Sequence, residues 1–308
     1  MQSLWMLFAS FLFSIMGVCV KLASNHYSTA EIVMYRGMVG VGFMFSFIRL
    51  RRGIFRTAFP LQHLWRGAVG VASLWLWFYA IGKLPLAPAM TLNYMSPVWL
   101  ALILFAGGWL RGRTRFEWGL AVAVTASFIG VTMLLRPSFQ ADQLQPSIIA
   151  LMSGMLSALA YLQVRRLGQL GEPEYRVVFY FSIMGLVAGV LGSLFNPMFS
   201  GVPTVWHAHT PQGVALLLGV GVSATVAQIA MTRAYRLGKT LVVANLQYTG
   251  IVFSSLWGIL FWRDALGWLS WAGIGIILIS GSAATFYNTR NVKRSPLETP
   301  VDAIANEV

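Results

Sequence analysis

Residues 79–109 read YAIGKLPLAPAMTLNYMSPVWLALILFAGGW, and residues 235–263 read YRLGKTLVVANLQYTGIVFSSLWGILFWR. Each stretch opens on Tyr-x-x-Gly-Lys, passes a short break, and continues into an apolar helix with a tyrosine near its start, Tyr94 and Tyr248. Gly82-Lys83 and Gly238-Lys239 lie 156 positions apart, and after a two-residue slip Tyr94 and Tyr248 lie 154 apart. The echo extends outward. Ser10 and Ser14 match Ser153 and Ser157, Tyr35-Arg36 sits opposite Phe179-Tyr180, and Trp118-Gly119 matches Ala272-Gly273. The chain therefore reads as one unit written twice.

Composition says what kind of unit. The 308 residues are 57% hydrophobic and only 10% charged, against roughly 25% charged in a soluble domain. Apolar runs of about 20 residues, the span of a bilayer core, recur throughout. Ten spans fit, near 3–22, 31–49, 65–83, 87–109, 116–135, 147–166, 176–195, 212–234, 240–262 and 268–287. The first has no basic leader and no small-x-small cleavage site, so it reads as a retained span rather than a signal peptide. The breaks carry turn residues, such as Leu84-Pro85-Leu86-Ala87-Pro88 and Asn196-Pro197.

The net charge of +13 would point to nucleic acid in a soluble protein. Here Lys and Arg sit in short loops between apolar runs, where they set topology. With the N-terminus inside, 17 of the 22 fall on the inner side, so both termini are expected in the cytoplasm. No nucleic-acid partner is expected. The single cysteine, Cys19, excludes an internal disulfide and reads as a packing residue.

Five spans repeated after an odd count enter the membrane from opposite sides. The expected fold is an all-α membrane protein of ten transmembrane helices, a 5+5 inverted repeat around a central cavity. Residues 1–137 form the first repeat, 146–288 the second, and 289–308 a disordered cytoplasmic tail. Inverted repeats of this kind build alternating-access transporters with a site near the midplane.

Enzyme chemistry finds little to work with, because all nine acids fall at span ends, in loops or in the tail. His207-x-His209 stands in an outer loop with no carboxylate or cysteine near it in sequence, so no metal site is expected, and no cofactor. The membrane core instead offers aromatic and uncharged polar groups. Trp75 and Tyr79 share a face of span 3; Thr91, Tyr94 and Pro97 share one in span 4; Asn245 and Tyr248 share one in span 9. Gln228 in span 8, Ser14 in span 1 and Tyr161 in span 6 complete a candidate lining for a small organic solute.

Arg36 is the charge deepest in a span. Insertion of arginine at a bilayer centre costs about 2.5–3.5 kcal/mol, so it must snorkel, pair, or serve the transport path. Pro97 removes a backbone hydrogen bond and is expected to kink span 4 beside the repeat axis, as a gating element or a helix-shaping one.

Glu31-x-x-x-Tyr35-Arg36, Tyr79-Ala80-x-x-x-Leu84-Pro85-Leu86-Ala87-x-Ala89, Tyr94-x-x-Pro97, Gln247-Tyr248 and Asp264 together resemble the drug/metabolite transporter superfamily, in its EamA-type ten-helix branch. The similarity covers residues 3–287. It implies a 5+5 bundle with spans 3, 4, 8 and 9 around the cavity, and secondary export of amino acids or related metabolites across a bacterial inner membrane, as a monomer or homodimer. One departure is visible: Leu110 and Arg111 stand where the first copy would carry a partner to Asp264, which favours a structural role for that acid. Uptake or exchange of a larger aromatic metabolite, flavin or nucleoside-like, is the second reading. A non-transporting membrane scaffold is the third.

Overall fold

The computed structural model describes residues 4–110, 143–200, 207–238, 243–244, 246–264 and 267–292, with scattered positions between 122 and 133. Helices follow one another throughout: α1 (Leu4–Ala23), α2 (Thr29–Leu50), α3 (Pro60–Lys83), α4 (Leu86–Asn93), α5 (Ser96–Leu110), α6 (Leu144–Gln169), α7 (Glu174–Ser200), α8 (Pro211–Leu237), α9 (Thr249–Trp262) and α10 (Trp268–Val292). Seven helical stretches among the described residues, α4 and α5 counted as one, are long and apolar enough to cross a bilayer. The expected span at 116–135 and the start of the span at 240 fall largely outside the described residues.

Local chemistry sets the helix ends. Ser28 caps α2 through a capping box: its hydroxyl accepts from the Glu31 N–H while the Glu31 carboxylate accepts from the Ser28 N–H. Pro60 and Pro211 stand in the first turns of α3 and α8, where a missing N–H costs nothing. α3 consequently begins five residues before the expected span at 65. α10 continues to Val292, beyond the expected repeat boundary at 288.

The fourth span is broken in two. α4 ends at Asn93, Tyr94 and Met95 form a turn, and α5 restarts at Ser96. Pro97, in the first turn of α5, has no N–H to return to the Asn93 carbonyl, which fits a break rather than a smooth kink. A second break falls at Gln247-Tyr248, just before α9, without a proline nearby.

Packing is chiefly between the halves of the chain. α2 lies against α7, α1 against α8 and α3 against α6. α2 also meets α8 while α3 meets α7, and α1 meets α9 while α6 meets α4 and α5. Lipid tails supply no hydrophobic drive for helix association, so close packing of small residues must do it. A Cβ on Gly189 of α7 would lie 2.5 Å from the Met34 backbone, and one on Gly37 of α2 would lie 2.9 Å from the Ser182 carbonyl. A Cβ on Gly154 of α6 would lie 2.8 Å from the Asn93 carbonyl. The outer faces stay apolar, with Phe8 and Phe11 on α1 and Leu218 and Val222 on α8 exposed, as a lipid environment demands.

Candidate functional site: a central cavity holding two arginines

The inward faces of α1, α2, α3, α6, α7 and α8, with the break after α4, line a partly open cavity of about 40 Å³. That volume holds water but no metabolite. α3 contributes Arg66, Gly70, Ser73 and Trp77, spaced four, three and four apart and so on one helical face. Tyr94 enters from the α4–α5 break, Ser157 and Tyr161 from α6, Phe181 from α7, Gln228 and Met231 from α8, Phe13 from α1 and Arg36 from α2.

Two hydrogen-bond networks hold the walls. Ser73 donates to the Ser153 carbonyl at 2.8 Å and lies 2.7 Å from the Ser157 hydroxyl. Asn93, the last residue of α4, donates to the Ser153 hydroxyl at 2.8 Å, so the broken helix is tied to α6 where its carbonyls face Gly154. On the other side, Gln247 at the second break donates to the Tyr161 hydroxyl at 2.8 Å. The Tyr161 ring stacks on Tyr235, with centroids 5.2 Å apart. Both helix breaks thus anchor to α6. Tyr94 Oη and Gln228 Nε2 are buried and have no hydrogen-bond partner among the described residues.

Arg36 and Arg66 are both buried, at 4% and 3% exposure. Their guanidinium carbons lie 4.9 and 4.2 Å from the centre of one ring, Phe181. Among the described residues no carboxylate reaches either. The four acids among the described residues are placed elsewhere. Glu31 holds His207 at 2.9 Å, Glu172 holds Arg176 at 2.9 Å and His63 at 3.4 Å, and Glu174 holds Arg236 at 2.9 Å. Asp264 stands beyond α9 near Lys21.

Of the residues singled out from sequence, Tyr94, Tyr161, Gln228 and Arg36 come together on this lining. Trp75 packs over Gly192 of α7 instead. Ser14 accepts from Trp257 Nε1 at 3.0 Å, and Thr91 bonds back to the Ala87 carbonyl at 2.8 Å. Tyr79, Tyr248 and Pro97 do not line the cavity, and Asn245 lies outside the described residues. Sequence reasoning missed Arg66, Trp77 and Phe181. Arg66 falls at the very start of the expected span at 65–83, and the proline at position 60 was the signal that the helix begins early enough to bury it. The isolation expected of His207 also fails: Glu31, remote in sequence, supplies its carboxylate, and His209 lies 2.8 Å from the Tyr35 hydroxyl.

Asp264 is tied to a helix end. Arg263 adopts the left-handed conformation (φ 53°) that closes α9, and the Asp264 N–H returns to the Gly258 carbonyl at 3.2 Å. Lys21 donates to the Leu84 carbonyl at the α3–α4 turn. Burial raises the Asp264 carboxyl above its ordinary range, and Lys21 only partly opposes this. A raised folded-state value means the native protein binds this proton more tightly than the unfolded chain does. The ionised group therefore carries a stability cost that grows as pH rises through that range. Asp264→Asn is expected to melt at or above the wild-type temperature at pH 7, with the difference closing on acidification; a lower melting temperature at pH 7 would show that pairing with Lys21 outweighs burial.

A multi-pass helical bundle with an aromatic cavity to which both halves of the chain contribute defines an integral membrane protein. The EamA-like transporter family model matches residues 1–136. The pseudopaline exporter of Pseudomonas aeruginosa is 32% identical over 88% of this chain and 90% of its own length. The chain belongs to the EamA-like transporters of the drug/metabolite transporter superfamily. A riboflavin transporter of Vibrio cholerae is 26% identical, with 95% of each chain covered. A solved crystal structure shares the fold at TM-score 0.64 and 17% identity, covering 92% of this chain and 98% of the other.

Proposed function

We propose that this protein is a secondary transporter that exports amino acids or related small metabolites across a bacterial inner membrane by alternating access. The observation that carries the reading is the narrow central cavity, lined by α1–α3 and the break after α4 from one half and by α6–α8 from the other. Its small volume suits a contracted state, in which solute enters only after the halves move apart.

The inverted 5+5 arrangement, with repeats at 1–137 and 146–288, is supported by the exchange pattern of the contacts. Swapping α1 with α6, α2 with α7 and α3 with α8 turns each principal contact into another observed one. Helix breaks at Tyr94 and at Tyr248 fall at matching places, and discontinuous helices of this kind commonly border transporter sites. The lysine and arginine bias supports cytoplasmic termini. No acid among the described residues lines the cavity, so a carboxylate proton relay has no candidate there, and exchange or facilitated diffusion is favoured. Similarity to an exporter supports the direction. Similarity to a riboflavin transporter keeps the uptake of an aromatic metabolite as the second reading.

The test compares metabolites in medium and cell extract by untargeted mass spectrometry, for cells expressing wild type or Tyr94→Ala at equal membrane abundance. A compound enriched at least several-fold in the medium only with the wild type is the expected result. Enrichment inside the cells would instead establish uptake. No difference in either direction, across several media, would overturn transport.

A further inference from the structure

Arg36 and Arg66 are charges that the fold does not use. Each stands about two turns inside its helix and is buried. Arg36 Nε and Arg66 Nε and Nη1 have no hydrogen-bond partner, and neither residue is in an ion pair among the described residues. The Phe181 ring touches both and offers a cation–π contact to each. That recovers a small part of what burying two like charges costs. A protein built for stability alone would place apolar groups here. Gly70 shows instead that room is kept for one of them, since a Cβ there would collide with the Arg66 guanidinium.

We infer that the cavity binds a small organic anion carrying two carboxylates, whose charges are met by Arg36 and Arg66. This rests on the transport reading above and narrows it to a dianionic substrate. A planar guanidinium presents paired donors that match a carboxylate. Two of them against one ring, separated by no more than the sum of their distances to its centre, suit a short acid with both ends ionised. Trp77, Tyr94 and Tyr161 line the same cavity, which must widen to admit the carbon skeleton, and Gln228 Nε2 offers a further donor. An uncharged flavin-like solute would leave both arginines unanswered.

The test uses purified full-length protein in lipid nanodiscs, followed by tryptophan fluorescence and melting temperature. The probes are glutarate, its monoamide, its diamide and inorganic phosphate. Glutarate is expected to bind at least tenfold more tightly than the monoamide, and the diamide not at all. Arg36→Gln and Arg66→Gln should each abolish the glutarate response, while Arg36→Lys and Arg66→Lys weaken it. Without ligand, the two glutamine variants should melt at or above the wild-type temperature, because each removes an unpaired buried charge.

Glutarate binding that survives both glutamine substitutions would overturn the assignment. So would equal binding of the diamide, a response to phosphate but not glutarate, or no glutarate response at all. A marked fall in the unliganded melting temperature of the glutamine variants would make the arginines structural. An exported compound that is neutral, and whose export is insensitive to Arg36→Gln and Arg66→Gln, would sink the dianion while leaving transport standing. Arginine-dependent glutarate binding in a protein that moves no solute would do the reverse.

Discussion

Gly37→Ala is expected to remove most of the folded protein from the membrane. A Cβ at position 37 would lie 2.7 Å from the Leu186 Cα and 2.9 Å from the Ser182 carbonyl oxygen. Both are backbone atoms of α7, so no rotamer change relieves the overlap. α2 and α7 would have to separate along a seam that is tight elsewhere too. A Cβ at Gly40 would meet the Ser182 hydroxyl at 2.5 Å, and one at Gly189 would meet the Met34 Cα at 2.5 Å. Overpacking a close-fitted core costs about 1–3 kcal/mol even where side chains can yield. Against backbone, about 3 kcal/mol or more is expected, a large share of a marginal total stability. The check is the monodisperse peak in detergent size-exclusion chromatography, quantified against wild type at equal synthesis. Gly42, whose Cβ would meet nothing within 4 Å, is the control: Gly42→Ala should express normally. A normal peak for Gly37→Ala would mean that the α2–α7 seam is looser than described.

Gly70→Ala should do the opposite, sparing the fold and disabling transport. Its Cβ would overlap the Arg66 guanidinium and come within 3.0 Å of the Phe181 ring. Arg66 can move, because its guanidinium ends a flexible side chain. The helix therefore survives, and alanine improves its intrinsic propensity by up to about 1 kcal/mol over glycine. The guanidinium, however, must leave its place against Phe181. Misplacing a binding group by about 1 Å can cost on the order of 100-fold. A loss of at least tenfold in export of whatever compound the wild type moves, with an unchanged melting temperature, is the expected result. Wild-type transport by this variant would show that the position of Arg66 is not used.

The contrast between these two glycines marks how far the sequence could be read. The helical membrane class and the ends of most spans were legible, because hydropathy over 20 residues is a property of the string. Four candidate site residues, Arg36, Tyr94, Tyr161 and Gln228, were found because a polar or charged group deep in an apolar run is conspicuous by itself. The face of α3 was not legible. Trp75 and Tyr79 share one face and Arg66, Gly70, Ser73 and Trp77 another, and periodicity ranks neither as the inner one. Only packing against α6 and α7 turns the second inward and leaves Trp75 against Gly192.

Phe181 was invisible for a similar reason. A phenylalanine in an apolar run is unremarkable until two guanidiniums are found against it. The pairing of Glu31 with His207 joins positions 176 apart, and no local pattern announces it. By itself the sequence determined that the chain is a helical membrane protein, because burial in lipid constrains composition residue by residue. The tertiary structure alone decided which side chains share the cavity, and that two arginines stand there without an acid among the described residues. Those facts depend on the rotation of each helix about its own axis, and that rotation is set by neighbours from the other half of the chain.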